Sequence, residues 1–97
     1  MKEVVLSPVA KKKLEMLLDY LEEEFSERTK QNFISTLEKI VDRIIKYPES
    51  FPESSKVKSV RRCIVSRYTV MYYRVRKNKI EILTFFDNRQ NPLKSPY

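Results

Sequence analysis

The spacing of apolar residues changes once along this chain, and that change limits the possible folds more than any other feature. Over residues 10–44 the apolar residues recur three and four positions apart, which is the pattern of amphipathic helices. Over residues 57–86 the chain is rich in Val, Ile, Tyr, Thr and Phe and alternates near period two, which is typical of β-strands. The sequence therefore predicts an α+β fold, with helices first and most of a sheet second.

Two helices are predicted in the first half. Ser7 and Pro8 supply an N-cap and a first helical residue, and the apolar spacing extends this helix over residues 8–25. A second helix is predicted over residues 27–47, because Pro48 closes it. The short joint predicts an antiparallel hairpin. The residues expected in the core are Leu17, Leu21, Phe33, Leu37, Ile40 and Ile44, together with Ile80 or Ile82.

The strands complete a predicted order β-α-α-β-β-β. Residues 2–6 form a short first strand, and three consecutive strands after a proline-containing loop form a meander. The first strand is expected to join this antiparallel sheet, while the two-helix hairpin covers one face and the other stays open. The chain has no glycine, so Asn78 is the candidate for a positive φ in the last hairpin turn. No linker or repeat is visible, which predicts a single domain over residues 1–97.

The residue inventory excludes several kinds of chemistry. The sequence has no histidine and one cysteine, Cys63, so we expect no disulfide, no zinc site and no Cys–His nucleophile. No metal or cofactor is predicted. No apolar run approaches the roughly 20 residues of a membrane span, and the first residues show no signal-peptide core. We therefore expect a cytoplasmic protein with no membrane partner.

Charge is distributed unequally between the two halves. Residues 1–53 contain nine Lys/Arg and eleven Asp/Glu, whereas residues 54–97 contain eleven Lys/Arg and two Asp/Glu, a net charge of +9. The asymmetry predicts a negatively charged partner, either nucleic acid or an acidic protein. The alternative is a solvated strand edge kept soluble by basic residues. The predicted binding residues are Lys58, Arg61, Arg62, Arg67, Arg74, Arg76 and Arg89.

Successive strand residues point to opposite faces, which leaves two assignments open. Arg61 and Arg62 must face opposite ways, and so must the neighbouring tyrosines at positions 72 and 73. The sequence does not decide which member of each pair faces the open side of the sheet. Asp87 and Arg89 share a face if the last strand continues, so they are expected to form an ion pair.

The segments RRCIVSRYTVMYYRV and KIEILTFFDNRQNP resemble the C-terminal half of toxins of the RelE/ParE superfamily. That half has an Arg before a short strand, a strand with a Tyr, and a strand that runs into an Arg. The preceding strand and helical hairpin are similar as well, so the resemblance covers nearly the whole chain. It implies the toxin component of a bacterial type II toxin–antitoxin system, a class that includes plasmid stabilisation proteins. By resemblance, the recurring positions are Arg61 or Arg62, Tyr72 or Tyr73, and Arg89.

The resemblance implies a cognate antitoxin as partner, which we expect to be acidic and partly disordered when free. ParE-like inhibition of an essential process such as DNA gyrase action is the favoured interpretation. The first alternative is a RelE-like, ribosome-dependent mRNA endoribonuclease. Its target would be the ribosome and mRNA instead of DNA gyrase. Its catalytic candidates are Arg61, Arg62 and Arg89 as phosphate stabilisers and Tyr73, because the chain offers no histidine base. The second alternative is a non-catalytic nucleic-acid-binding module.

Overall fold

The fold, seen in a computed structural model that describes residues 2–97, follows the predicted element order. It comprises β1 (Glu3–Leu6), α1 (Pro8–Glu24), α2 (Glu27–Lys46), β2 (Arg61–Ser66), β3 (Thr69–Val75) and β4 (Lys79–Asp87). A short 3-10 helix, Pro92–Lys94, follows the last strand. The α+β class and the two-helix hairpin packed on one face of the sheet are confirmed.

Side-chain caps define where both helices begin. The Ser7 hydroxyl accepts a hydrogen bond from the backbone N–H of Ala10 at 3.0 Å, and Pro8 occupies the first turn. Ser26 caps α2 in the same way through the N–H of Thr29 at 3.0 Å. The helices lie within one residue of their predicted limits, because proline and serine mark the ends locally.

The sheet is mixed, with strand order β1-β4-β3-β2. The last three strands form the predicted antiparallel meander, but β1 pairs with β4 in parallel, with Val4 opposite Ile80. The direction follows from the connections. The hairpin and the loop over residues 47–60 return the chain to the end where β1 began, so β2, and hence β4, runs in the same direction as β1.

The turn between β3 and β4 closes without a left-handed residue. The backbone N–H of Arg76 donates to the carbonyl of Lys79 at 2.7 Å across the turn. The expectation of a positive φ at Asn78 is wrong, since no residue in the described range has one. Three residues separate the two strands, and the chain reverses through them with every described φ negative.

The core lies between the hairpin and one face of the sheet. Phe33, Ile44, Ile80 and Ile82 are buried there, as predicted. The other predicted core members pack against this cluster but remain partly exposed, namely Leu17, Leu21, Leu37 and Ile40. These four residues were expected to be buried and are only partly so. The apolar stripe of the hairpin is wider than the sheet surface that covers it.

The opposite face, expected to be open, is covered by the end of the chain. Val60, Val70, Tyr72 and Leu83 are buried on this face, and the ring of Tyr97 lies 5.7 Å from that of Tyr72. The Tyr72 hydroxyl accepts a hydrogen bond from the Ser95 hydroxyl at 2.9 Å, and Lys56 donates to the Ser95 carbonyl at 2.6 Å. We call this surface the tail-covered face.

Candidate functional site

A groove of about 640 Å³ opens where the hairpin overhangs one end of the sheet. Its apolar floor includes Leu17, Leu21, Phe33 and Phe85. The β2–β3 turn and the end of β4 form the opposite wall. We call it the hairpin–sheet groove. Apolar clefts with a few polar groups at the rim are the usual form of binding sites in proteins.

The mouth of this groove is built around Tyr68. The guanidinium of Arg67 lies 5.3 Å from the centroid of the Tyr68 ring, and that of Arg89 lies 4.5 Å from the same centroid. Both distances are within the range of a cation–π contact. The stack brings two positive charges to one side of an apolar groove, and Lys13 of α1 adds a third to its lining.

Asp87 fixes Arg89 within this arrangement. The Arg89 guanidinium donates to both carboxylate oxygens of Asp87, through Nε at 3.0 and 3.1 Å and through Nη2 at 2.6 Å. The guanidinium holds the pKa of the Asp87 carboxyl below its ordinary value, and the pair raises the pKa of Arg89. The ion pair predicted from the sequence is confirmed. It leaves Arg67 as the cation at the mouth without an acidic partner among the described residues.

Backbone hydrogen bonds set the position of the mouth relative to the sheet. The N–H of Asn88 donates to the carbonyl of Tyr68 at 2.9 Å, and its side-chain amide donates to the carbonyl of Arg67 at 3.1 Å. The end of β4 is thereby fastened to the β2–β3 turn. The backbone that carries Arg67 and Arg89 is therefore fixed by hydrogen bonds between the β2–β3 turn and the end of β4.

Intrachain pairing leaves the second half of the molecule strongly positive. Glu81 is bonded by Arg74 at 2.9 Å and lies 3.8 Å from Arg76, and the Arg74 guanidinium holds the pKa of Glu81 below its ordinary value. Asp87 is matched by Arg89. These are the only two acids in residues 54–97, which contain eleven Lys/Arg, so acids of the same half can match only a small part of the positive charge.

The predicted catalytic arginines lie in three different places. Arg61 faces the hairpin side, where its guanidinium donates to the carbonyls of Glu49 and Phe51 at 3.2 and 2.7 Å. Arg62 lies opposite Tyr72 on the tail-covered face. Arg89 stands at the groove mouth. The structure therefore does not bring the three together around one point, and Arg61 is engaged in holding the loop before β2.

Tyr73 is a core residue. It is fully buried on the hairpin side, and its hydroxyl donates to the carbonyl of Pro48 at 2.8 Å. Burial raises the pKa of Tyr73 to about 12. Neither tyrosine of the adjacent pair projects into solvent, since Tyr72 is buried beneath the tail. The position of Tyr73 does not suit a group that must exchange a proton with a substrate.

The predicted binding residues separate into two surfaces. Arg67 and Arg89 line the hairpin–sheet groove. Arg62 and Arg74 lie on the tail-covered face, as their strand partners Tyr72 and Glu81 do. Three members lie on neither surface. Arg61 is on the hairpin side, bonded to the loop before β2, while Lys58 in that loop and Arg76 in the β3–β4 turn are exposed.

Sequence reasoning missed the aromatic part of the groove. Tyr68, Met16 and Tyr20 line it and are large exposed hydrophobic residues. The rings of Tyr20 and Phe25 pack edge to face, with their centroids 6.0 Å apart. A signal was present in α1, because Met16 and Tyr20 are four residues apart and widen the apolar stripe of the helix beyond what a core requires.

Comparisons with known proteins agree on the fold. A sequence model described as the ParE toxin of the type II toxin–antitoxin system parDE matches residues 4–92. A chain of the chromosomal ParDE system from P. aeruginosa is similar in structure, with a TM-score of 0.74 and 17% identity over 90% of this chain and 96% of that chain. The YoeB dimer from Staphylococcus aureus gives a TM-score of 0.64 and 13% identity over 88% and 94% of the two chains.

A chain of the E. coli DinJ-YafQ complex gives a TM-score of 0.63 and 10% identity over 92% of this chain and 96% of that one. At these identities the structural likeness shows a shared fold. No curated protein sequence matches this chain significantly. Among residues 2–97 there is no group of three His, Cys, Asp or Glu side chains that could hold a metal ion.

Proposed function

This chain belongs to the ParE toxin family of type II toxin–antitoxin systems, and we propose that it acts by binding and inhibiting DNA gyrase rather than by cleaving RNA. One observation carries the non-hydrolytic part of the proposal. Arg61, Arg89 and Tyr73, three of the four residues expected to form a ribonuclease site, are directed to a loop, a groove and the core respectively. RNA cleavage needs such groups converged on one phosphate.

The groove nevertheless favours a second candidate, a RelE-like ribonuclease that acts on mRNA at the ribosome. Arg67 and Arg89 stack on Tyr68 and are directed to one opening. Two guanidinium groups beside an aromatic ring are suited to a phosphate and an unstacked base. We keep this candidate because the same surface that would contact a protein target would also fit a single strand of RNA.

The proposed partner of the toxin is its cognate antitoxin. The similar P. aeruginosa and E. coli chains come from a ParDE system and a DinJ-YafQ complex. We propose that the antitoxin of this chain has an acidic segment that is disordered when free and folds on the hairpin–sheet groove. The apolar floor would take a helix face, and the cations at the mouth would meet carboxylates. Carboxylates could also meet Arg62 or Arg74 on the tail-covered face.

The place of action is part of the same proposal. No helix in residues 2–97 is long and apolar enough to cross a membrane. Gyrase, ribosomes and mRNA are in the cytoplasm, so we propose that the toxin acts there.

The test is expression of the chain without its antitoxin, followed by two assays on the purified protein. Inhibition of gyrase supercoiling, with filamentation and a DNA damage response in cells, is the expected outcome. Cleavage of mRNA and halted translation without gyrase inhibition would establish the alternative instead. The proposal would be refuted if the expressed chain caused no growth arrest and the purified protein showed neither gyrase inhibition nor mRNA cleavage.

A paired substitution locates the activity in the groove. Arg89→Ala removes a cation from the mouth, and we expect inhibition to weaken roughly 30-fold, as for a central arginine of an interface. Arg28→Ala makes the same change at an exposed position of α2 that does not line the groove, and it should leave inhibition unchanged. Equal activity of both variants would show that the groove mouth is not the working surface.

A further inference from the structure

The outer edge of β1 is an unpaired sheet edge. The N–H group of Glu3 donates to the carbonyl of Asn78, the residue before β4, at 3.2 Å, and that of Ser7 donates to the carbonyl of Ile82 in β4 at 2.9 Å. Because strand groups alternate in direction, the backbone groups of Val4 and Leu6 point away from β4. Within residues 2–97 no other strand pairs with this edge. It therefore presents free donors and acceptors in strand geometry.

A second groove lies directly beside this edge. It has a volume of about 340 Å³ and is separate from the hairpin–sheet groove, with which it shares no lining residue. Its apolar lining includes Val4 and Leu6 of the edge strand itself, and Leu6 is 41% exposed. The remaining apolar lining residues are Leu14, Leu37, Val41 and Ile82. We call it the edge groove.

The charges of the two grooves are opposite in sign. The charged residues that line the edge groove are Glu38 and Asp42, one helical turn apart on α2. Both are exposed, and neither forms an ion pair with another described residue. In the hairpin–sheet groove the unpaired lining charges are positive. The acidic rim therefore selects a positively charged occupant.

We propose that the β1 edge and the edge groove form a second docking surface, which takes an extended, basic segment of the antitoxin. The segment adds a strand beside β1, places alternate apolar side chains in the edge groove, and sets a Lys or Arg against Glu38 and Asp42. This inference rests on the proposed function only for the identity of the partner. The chemistry of the segment follows from the edge, the apolar lining and the acidic rim.

A second copy of this chain is a poorer occupant of the same edge. Twofold pairing of β1 with β1 would bring the edge grooves of both copies, and with them two sets of Glu38 and Asp42, to one interface. Like charges placed opposite each other in a sheet or interface oppose association. The partner must therefore carry segments of opposite charge, an acidic one for the hairpin–sheet groove and a basic one here. An antitoxin that is acidic throughout would be repelled at this edge.

Synthetic peptides can test the surface without the antitoxin. The probe is a nine-residue peptide with alternating Val and Thr and a Lys near each end, and its counterpart has Glu in place of Lys. Titrated into the isotopically labelled chain, the Lys peptide should shift the backbone amide signals of Val4 and Leu6 in the NMR spectrum. It should bind about fivefold more tightly than the Glu peptide, the effect expected of two exposed ion pairs.

A matched pair of double variants tests the charge selection. Glu38→Lys with Asp42→Lys should reverse the preference, so that the Glu peptide binds more tightly. Glu15→Lys with Asp19→Lys makes the same charge change at the same spacing on α1, outside the edge groove, and should keep the original order. Equal binding of both peptides to the wild type, shifts confined to other residues, or β1-mediated dimers that exclude the peptide would overturn the proposal. Gyrase or ribosome activity does not enter this readout, so failure here is distinct from failure of the proposed function.

Discussion

Replacing Tyr73 by Phe separates a structural from a catalytic role for this tyrosine. The substitution keeps the ring in the core and removes only the hydroxyl that donates to the carbonyl of Pro48 at 2.8 Å. A buried hydrogen bond contributes about 1 kcal/mol, and Pro48 is half-buried, so water can reach part of the freed carbonyl. We therefore expect a loss of about 1 kcal/mol at pH 7. In a domain of this size that loss lowers the melting temperature by about 4–8 °C.

The pH dependence gives the same substitution a second readout. The pKa of Tyr73 is about 12 in the folded protein, above the ordinary value near 10 of an unfolded chain. A raised pKa stabilises the fold fully below the unfolded value, and this stabilisation is lost as the pH rises from about 10 to about 12. The wild type should lose up to about 1.4 kcal/mol per pH unit there through this group. Tyr73→Phe lacks this loss, so the gap between the two proteins should close near pH 11.

Urea unfolding at pH 7 and pH 11, with toxicity measured in parallel, tests this reasoning. Tyr72→Phe is the matched control, because its hydroxyl lies on the tail-covered face and is bonded to Ser95. We expect toxicity to persist in Tyr73→Phe. A stability gap of the same size at both pH values would refute the assigned pKa. A fully folded Tyr73→Phe protein without toxicity would refute the core role and restore Tyr73 as a catalytic candidate.

Three further substitutions probe the cap, the core and the groove mouth. Ser7→Ala should cost about 1–2 kcal/mol in urea unfolding, more than Ser26→Ala, because Ser7 also donates to β4 whereas Ser26 makes only local contacts. Phe33→Ala should cost about 3–5 kcal/mol, and an unchanged unfolding midpoint would contradict its buried position. Asp87→Asn should cost less than about 0.5 kcal/mol at pH 7, since solvent screens the pair. Because the pKa of Asp87 is lowered, the wild type should lose this small contribution as the pH falls through the pKa of Asp87 in the folded protein. If the melting temperatures of the variant and the wild type change in the same way with acid pH, the pairing with Arg89 is contradicted.

Local signals predicted the helices and strands well. Serine and proline next to an apolar stripe fixed both helix starts, because capping acts within one turn. The parallel pairing of β1 was not predictable in this way, since it depends on how the loop over residues 47–60 crosses the molecule. The same holds for the tail-covered face, where Tyr97 meets Tyr72 across a long stretch of sequence.

The candidate site was predicted in part. The basic half and the pairing of Asp87 with Arg89 follow from composition and spacing. Alternation left Arg61 and Arg62 equivalent, and the two are distinguished only by tertiary structure, through their partners in β3 and the loop carbonyls that bind Arg61. Tyr68 gave no sequence signal, because its role depends on two arginines brought to one ring by the β2–β3 turn and the end of β4.

The pairing of β1 with β4 has a kinetic consequence. In this pairing Glu3 lies opposite Lys79, so the sheet is completed by a contact between residues far apart in sequence. Such non-local contacts slow folding, because a long loop must be ordered before any stabilisation is gained. During synthesis on the ribosome, α1 emerges long before β4, the strand against which it packs. Until β4 is released, the apolar stripe of the hairpin has no sheet to cover it, so the unfinished chain exposes apolar surface that the folded protein buries.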